Sequence, residues 1–243
     1  MKILKNFVTK YRYQLITLLA HITLIIQWFV LPVWVFILMI VIGWIIANLG
    51  HSLFIHRIFT HKHFVINTKY QWVGHLFFTL LNLGSPVVYA SVHMKHHATS
   101  GTENDPHDPY HLGFLSTLLS LWDEHFKPDR KYYKIYMSDP IAKWYHIHHL
   151  QIALFSALLT PAIAVVGYWL SKVVTIAVHI RGLGSGVNTP PDSSQNLWWF
   201  KPLTWGEELH NNHHRYGSRA NHNISGNWKE FDMLYYIGRI ISK

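Results

Sequence analysis

His210-Asn-Asn-His-His214 and an earlier copy, His93-Met-Lys-His-His97, each place three histidines at i, i+3 and i+4. In a helix those positions share one face, so each stretch presents three imidazoles from a single stripe. Working outward, a third element, His56-Arg-Ile-Phe-Thr-His61, precedes both. Eight histidines exceed what one metal accepts, so the pattern predicts two metals held between several helices. His56 and His61 are five apart, which does not put them on one α-helical face; the expectation is that His61 lies where its helix frays. Imidazole suits iron, zinc, copper and nickel. The chain has no cysteine, which excludes thiolate ligands, iron-sulfur clusters and disulfides.

Half of the 243 residues are hydrophobic and only 14% are charged, a balance that points to a membrane protein. The net charge of +9 suits a surface beside anionic headgroups. No nucleic-acid-binding motif is present. Lys2, Lys5, Lys10 and Arg12 precede a long apolar run; it exceeds a signal-peptide core and no small-residue cleavage site follows, so it reads as a retained anchor.

Tyr13 to Leu49 holds no charged residue, enough for two spans of roughly 20 residues each. The expected boundaries are 13–31 and 33–55, turning near Gln27 and Pro32. Trp72 to Val92 is apolar but contains His75, Asn82, Gly84, Ser85 and Pro86. A single crossing there would put His56 and His61 on the opposite side from His93, so it is expected to lie along the interface. The same parity makes 150–180 a second hairpin, turning at Thr160-Pro161. Lysine and arginine avoid both hairpin tips, which places the termini and all histidine stretches in the cytoplasm. The expected fold is an all-α membrane protein: four transmembrane helices, with 56–149 and 181–243 forming a cytosolic helical cap over a dimetal site.

The order of motifs resembles the membrane fatty acid desaturase family, of the bacterial stearoyl-CoA desaturase type. Carrying the resemblance are His56-Arg-Ile-Phe-Thr-His61, Gly84-Ser-Pro86, His93-Met-Lys-His-His97, Thr102-Glu-Asn-Asp-Pro-His107, Asp192-Ser-Ser-Gln-Asn196, Gly206-Glu207, His210-Asn-Asn-His-His214 and Glu230-Phe-Asp232. The resemblance implies two irons, one on His56, His61, His97 and His214, the other on His93, His96, His179, His210 and His213. His179 enters only by this resemblance. The same imidazoles would accept zinc in overexpressed protein. Thr175 stands where the family commonly has an asparagine that holds a metal-bound water, and Glu208 is an acid the family pattern lacks. Asp105, Asp108 and Glu207 are candidates for carboxylates that orient ligand imidazoles. His21, His51, His63, His75, His107, His111, His125, His146, His148, His149 and His222 match no ligand position and are read as interfacial or supporting residues.

The resemblance further implies an O2-dependent enzyme that introduces a cis double bond into a saturated acyl chain, on acyl-CoA and of Δ9 type. An acyl-lipid substrate or lipid hydroxylation on the same scaffold is the alternative; a non-catalytic metal-binding membrane protein is the reading from another class. No dinucleotide fingerprint or fused haem domain is present, so electrons must come from a separate ferredoxin or cytochrome b5-type carrier and its reductase. Lys95, Lys127, Arg130 and Lys131 are basic residues that could face such a carrier or the substrate phosphates.

Overall fold

A computed structural model of the chain describes residues 2–106, 108–119, 128–187 and 192–243. His107, His125 and Lys127 lie outside the described residues. Within them the chain is helical, with isolated β-bridges and no named strand.

Among the described residues, two helices are each long and apolar enough to cross a membrane. The first is the part from Tyr11 to Val30 of α1 (Lys2–Val30), which kinks at Tyr11. The second is α2 (Val33–Ala47), continued without a break by a π-helical segment, Asn48–Thr60. Pro32 ends one and starts the other, as expected of a residue that tolerates only a first-turn position. Ile25, Ile26, Phe29, Val33, Trp34 and Ile37 are exposed along this pair, an apolar belt suited to lipid. Where the helices meet, small residues bring backbones together. Ala20, Ala157 and Ala164 form one such seam. At Gly43 a Cβ would lie 2.9 Å from the Ala162 carbonyl, so this glycine sets how closely α2 approaches the later helix that carries Ala162.

The window from Trp72 to Val92 is not one helix. It divides into α3 (Thr68–Leu80) and α4 (Pro86–Thr99), separated by a turn with Asn82 and Gly84 at positive φ. Helix α3 exposes Trp72, Val73 and Leu76 and buries His75, Phe78 and Thr79, the two-faced pattern of a helix lying on an apolar surface. Ser85 caps α4 through Val88 N, with Pro86 at the first helical position, where its missing N–H costs nothing.

Short helices α5 (Pro109–Leu112), α6 (Phe114–Leu119) and α7 (Arg130–Met137) lead to α8 (Pro140–Leu159) and α9 (Pro161–Ala177). The α8–α9 pair is bent by 113° at Thr160-Pro161 and is long and apolar enough to cross a membrane only when the two are taken together. The turn falls where the sequence places it, but α8 begins ten residues before the expected boundary at 150. Asp139 caps it through Ile141 N and Ala142 N. Hydropathy misses this start because His146 and His149 look polar. In the fold they are satisfied by Ser85, Tyr133 and Tyr13, and so serve the packing of α8. The chain closes with α10 (Lys201–Thr204), α11 (His210–Arg215) and α12 (Met233–Ile241).

Candidate metal centre

The π-helical winding corrects the reading of His56 and His61. With i→i+5 bonding, residues five apart stack on one face. His61 N donates to the His56 carbonyl at 3.1 Å and the Thr60 hydroxyl to the Ile55 carbonyl at 2.7 Å. The two rings lie 4.9 Å apart. His61 therefore sits on an ordered turn, aligned with His56, and not on a frayed end.

Nine imidazoles converge in two groups: His56, His61, His93, His97 and His213, and His96, His179, His210 and His214. Eight of the nine are those the sequence singles out and the ninth, His179, is the one the resemblance adds, but the division differs from the one the resemblance implies. His93 and His213 join His56 and His61, while His214 joins His96 and His179. Helical spacing explains it. On α4 the i and i+4 members, His93 and His97, stack toward one group, and the i+3 member, His96, faces the other. On α11 the same rule sends His210 and His214 to the second group and His213 to the first.

The donor set fits metal cations. Nε2 of His61 and His97 lie 2.9 and 3.0 Å from Nε2 of His93, and those of His56 and His97 lie 3.1 and 3.0 Å from that of His213. In the second group His214 Nε2 lies 3.2 Å from that of His96 and 3.1 Å from that of His210. Two nitrogens bound to one metal at about 2.1 Å are held about 3 Å apart. Tautomers strengthen the case. His96 Nδ1 donates to Asp105 at 2.7 Å, His179 Nδ1 to the Thr175 carbonyl at 2.7 Å, and His214 Nδ1 lies 3.2 Å from Asp192. Each neutral ring then turns its Nε2 lone pair inward. Converging lone pairs repel unless a cation lies between them.

Among the candidate carboxylates, Glu207 and Asp105 touch ligand imidazoles; Glu207 Oε1 lies 2.6 Å from His56 Nδ1. Asp108 does not. It caps α5 through Tyr110 N and binds His111. The carboxylate missing from the sequence reading is Asp192, on His214, although it opens one of the quoted motifs. Thr175 acts on His179 through its backbone carbonyl, which any residue supplies. Glu208 is fully buried and accepts from Thr204 Oγ1 and Gly206 N at 2.6 and 2.7 Å, so the added acid clasps the turn before α11. The two asparagines between the histidines of α11 anchor its other side. Asn211 bonds Val187 N and Ser194, and Asn212 pairs with Asn196 and donates to the His222 carbonyl.

Burial and the crowding of like groups hold most of these rings neutral, the state a metal requires. His61 is pushed down to about 3, and His93, His96, His97, His179, His210, His213 and His222 also lie below the ordinary histidine range. The unfolded chain titrates near 6.5. Below that pH it takes up protons that the folded chain refuses, so stability falls as pH falls. Burial pushes Glu207 up to about 8 from 4.5 and also raises Glu208, which works in the opposite sense but is two groups against eight. Metal-free protein should therefore melt at a lower temperature at pH 5.5 than at pH 7.5, each group contributing up to about 1.4 kcal/mol per pH unit. A melting temperature that is flat or rises on acidification would contradict this.

A model of the fatty acid desaturase family matches residues 26–236. The chain is 30% identical over 209 residues to the sn-1 stearoyl-lipid 9-desaturase of Anabaena variabilis, covering 79% of this chain and 75% of that protein. Over 215 residues it is 25% identical to Delta-9 acyl-lipid desaturase 1 of Arabidopsis thaliana, covering 81% and 68%. Delta-9 desaturase-like 2 protein of the same plant is 30% identical over 213 residues, covering 79% and 69%.

Proposed function

Because the chain belongs to the fatty acid desaturase family, we propose that it introduces a cis double bond at the Δ9 position of a saturated acyl chain, using two irons held by the nine imidazoles. The observation that carries this reading is the convergence of all nine rings, each with one ring nitrogen turned inward, into two adjoining groups. Irons bound there would supply the oxygen activation needed to remove hydrogen from an unactivated methylene, which no side-chain acid or base achieves.

The protein's own part is to hold rings and acyl chain in place. Glu207, Asp105 and Asp192 fix the imidazoles of His56, His96 and His214 through their second nitrogens, the arrangement that keeps a ligand oriented. Ala47, Gly167, Leu170 and Val174, from α2 and α9, line a narrow cleft of about 10 Å³ that also reaches His51, Ser52 and Glu207. A methylene chain would have to open this cleft to lie beside the first group, where fixed position decides which carbon reacts. Four membrane crossings, a cytoplasmic cap and an external ferredoxin or cytochrome b5-type donor complete the proposal.

Two carriers fit. The motif order resembles acyl-CoA enzymes, whereas two of the relatives are named for lipid-bound acyl chains. Lipid profiling of a host expressing the chain should reveal a new monounsaturated species with its double bond at Δ9. Short labelling with a saturated acyl precursor tells the carriers apart by whether the double bond first appears in the thioester or the glycerolipid pool. Purified protein made with ample iron should hold about two irons per chain. Hydroxylated products alone, or a folded preparation with one metal or none, would overturn the reading.

A further inference from the structure

Three ring nitrogens beside the first histidine group are buried and have no hydrogen-bond partner among the described residues: Nδ1 of His213, Nε2 of His222 and Nδ1 of His63. The rings are neighbours, with centroids 4.8 Å apart for His213 and His222, 6.0 Å for His63 and His222, and 6.3 Å for His63 and His213. His222 is 2% exposed, which suits the supporting side of its sequence reading and not the interfacial one.

Each proton can be assigned from the contacts on the other side of its ring. Arg57 Nη2 lies 3.0 Å from His222 Nδ1. A guanidinium only donates, so that nitrogen carries the lone pair and Nε2 of the neutral ring carries hydrogen. His63 Nε2 donates to the Gly217 carbonyl at 2.8 Å, which leaves its Nδ1 as an acceptor. His213 turns Nε2 toward His56 and His97; as a metal ligand through that atom it keeps its hydrogen on Nδ1. The cluster thus offers two donors and one acceptor, and no direct bond joins them.

One oxygen atom that accepts twice and donates once satisfies all three. A water molecule does this. A metal ion would meet two N–H groups, and an anion would face the His63 lone pair, so neither matches. We propose that His222 and His63 hold a water that fixes the ring of His213, which makes His222 a positioning residue for the first metal. The proposal rests on the two-metal reading above. It accounts for why His213, which has no carboxylate on its second nitrogen, is nonetheless held in one orientation, and for why Arg57 is spent on His222: the guanidinium locks the tautomer that the water needs.

The test is iron release from the loaded enzyme to a chelator, read as two phases, with the first-group phase identified by its disappearance in His61→Ala. His222→Phe should speed that phase by roughly 10-fold or more and leave the other unchanged, since supporting partners tune metal affinity by about 10–100-fold. His222→Gln, whose carboxamide can supply an N–H in place of Nε2–H, should restore the slow phase. Unchanged release, equal acceleration of both phases, or a glutamine variant no better than phenylalanine would overturn the proposal. If His222→Phe does not fold, His63→Leu, at a half-buried position, carries the same expectation. A wild-type enzyme that releases one iron or none defeats the two-metal reading; two irons with an unchanged His222→Phe phase defeat only this inference. A density map showing a metal ion between the three rings would also overturn it.

Discussion

His213→Ala and His214→Ala should each abolish desaturation, lowering product per folded chain by more than about 100-fold, and the double variant should be no worse than either alone. The two residues are adjacent on α11, yet their imidazoles belong to different groups. His213→Ala takes one of five rings from the first, and His214→Ala one of four from the second. If both metals must act together on one oxygen molecule, losing either ends the reaction, and residues that act as a unit give non-additive losses. Metal analysis adds a second readout, because each variant should lose affinity at a different site. Product formation by His214→Ala above a few per cent of wild type, or a double variant clearly below both singles, would show that the two groups work independently.

How much of this was legible before the structure depends on the length scale of the cause. The two HxxHH stretches were legible because i, i+3 and i+4 spacing is a local property of a helix. That spacing separates the i+3 ring from the other two, but which rings of α4 share a metal with which rings of α11 was not legible, since it depends on how the two helices face each other across the site. The HxxxxH spacing held its own signal: a five-residue interval suits a π-helical turn, and the α-helical assumption concealed it. Glu207 and Asp105 were found because they lie within motifs close to histidines. Asp192 was missed although it opens a quoted motif, because it reaches His214 from a separate loop; His222 was read only as an interfacial or supporting histidine, because no spacing marks the turn that brings its ring back beside His213. The long apolar helices followed the same rule. The uncharged run of α1 and α2 announced itself, whereas the start of α8 was hidden by histidines whose hydrogen bonds come only from tertiary partners.

The second large effect concerns the buried ion pair that supports the first group from behind. Arg57 and Asp232 are both fully buried, with Arg57 Nη1 2.8 and 2.7 Å from the two carboxylate oxygens. Arg57 also donates from Nη2 to the Gly206 carbonyl at 2.9 Å, and Asp232 accepts from His222 N and Tyr235 N. One guanidinium and one carboxylate thereby join the π-helix, the turn before α11 and the start of α12. Gly206 sits at φ +123, and a Cβ there would fall 2.3 Å from Asp232 Oδ1, so this position leaves no room for another residue. Asp232→Ala strands a buried cation, and the expected loss is about 3–5 kcal/mol, enough to remove most of the folded protein from a chain of ordinary stability. Arg57→Met alone should cost a similar amount by stranding the carboxylate. The double variant Arg57→Met with Asp232→Leu leaves no unpaired charge, so it should be more stable than either single change. Thermal melting of the purified variants in detergent, followed by resistance to proteolysis, measures all three. If the double variant loses as much as the two single losses added together, the pair is not a coupled unit, and the support of His222 and α11 by Arg57 would have to be sought in its other contacts.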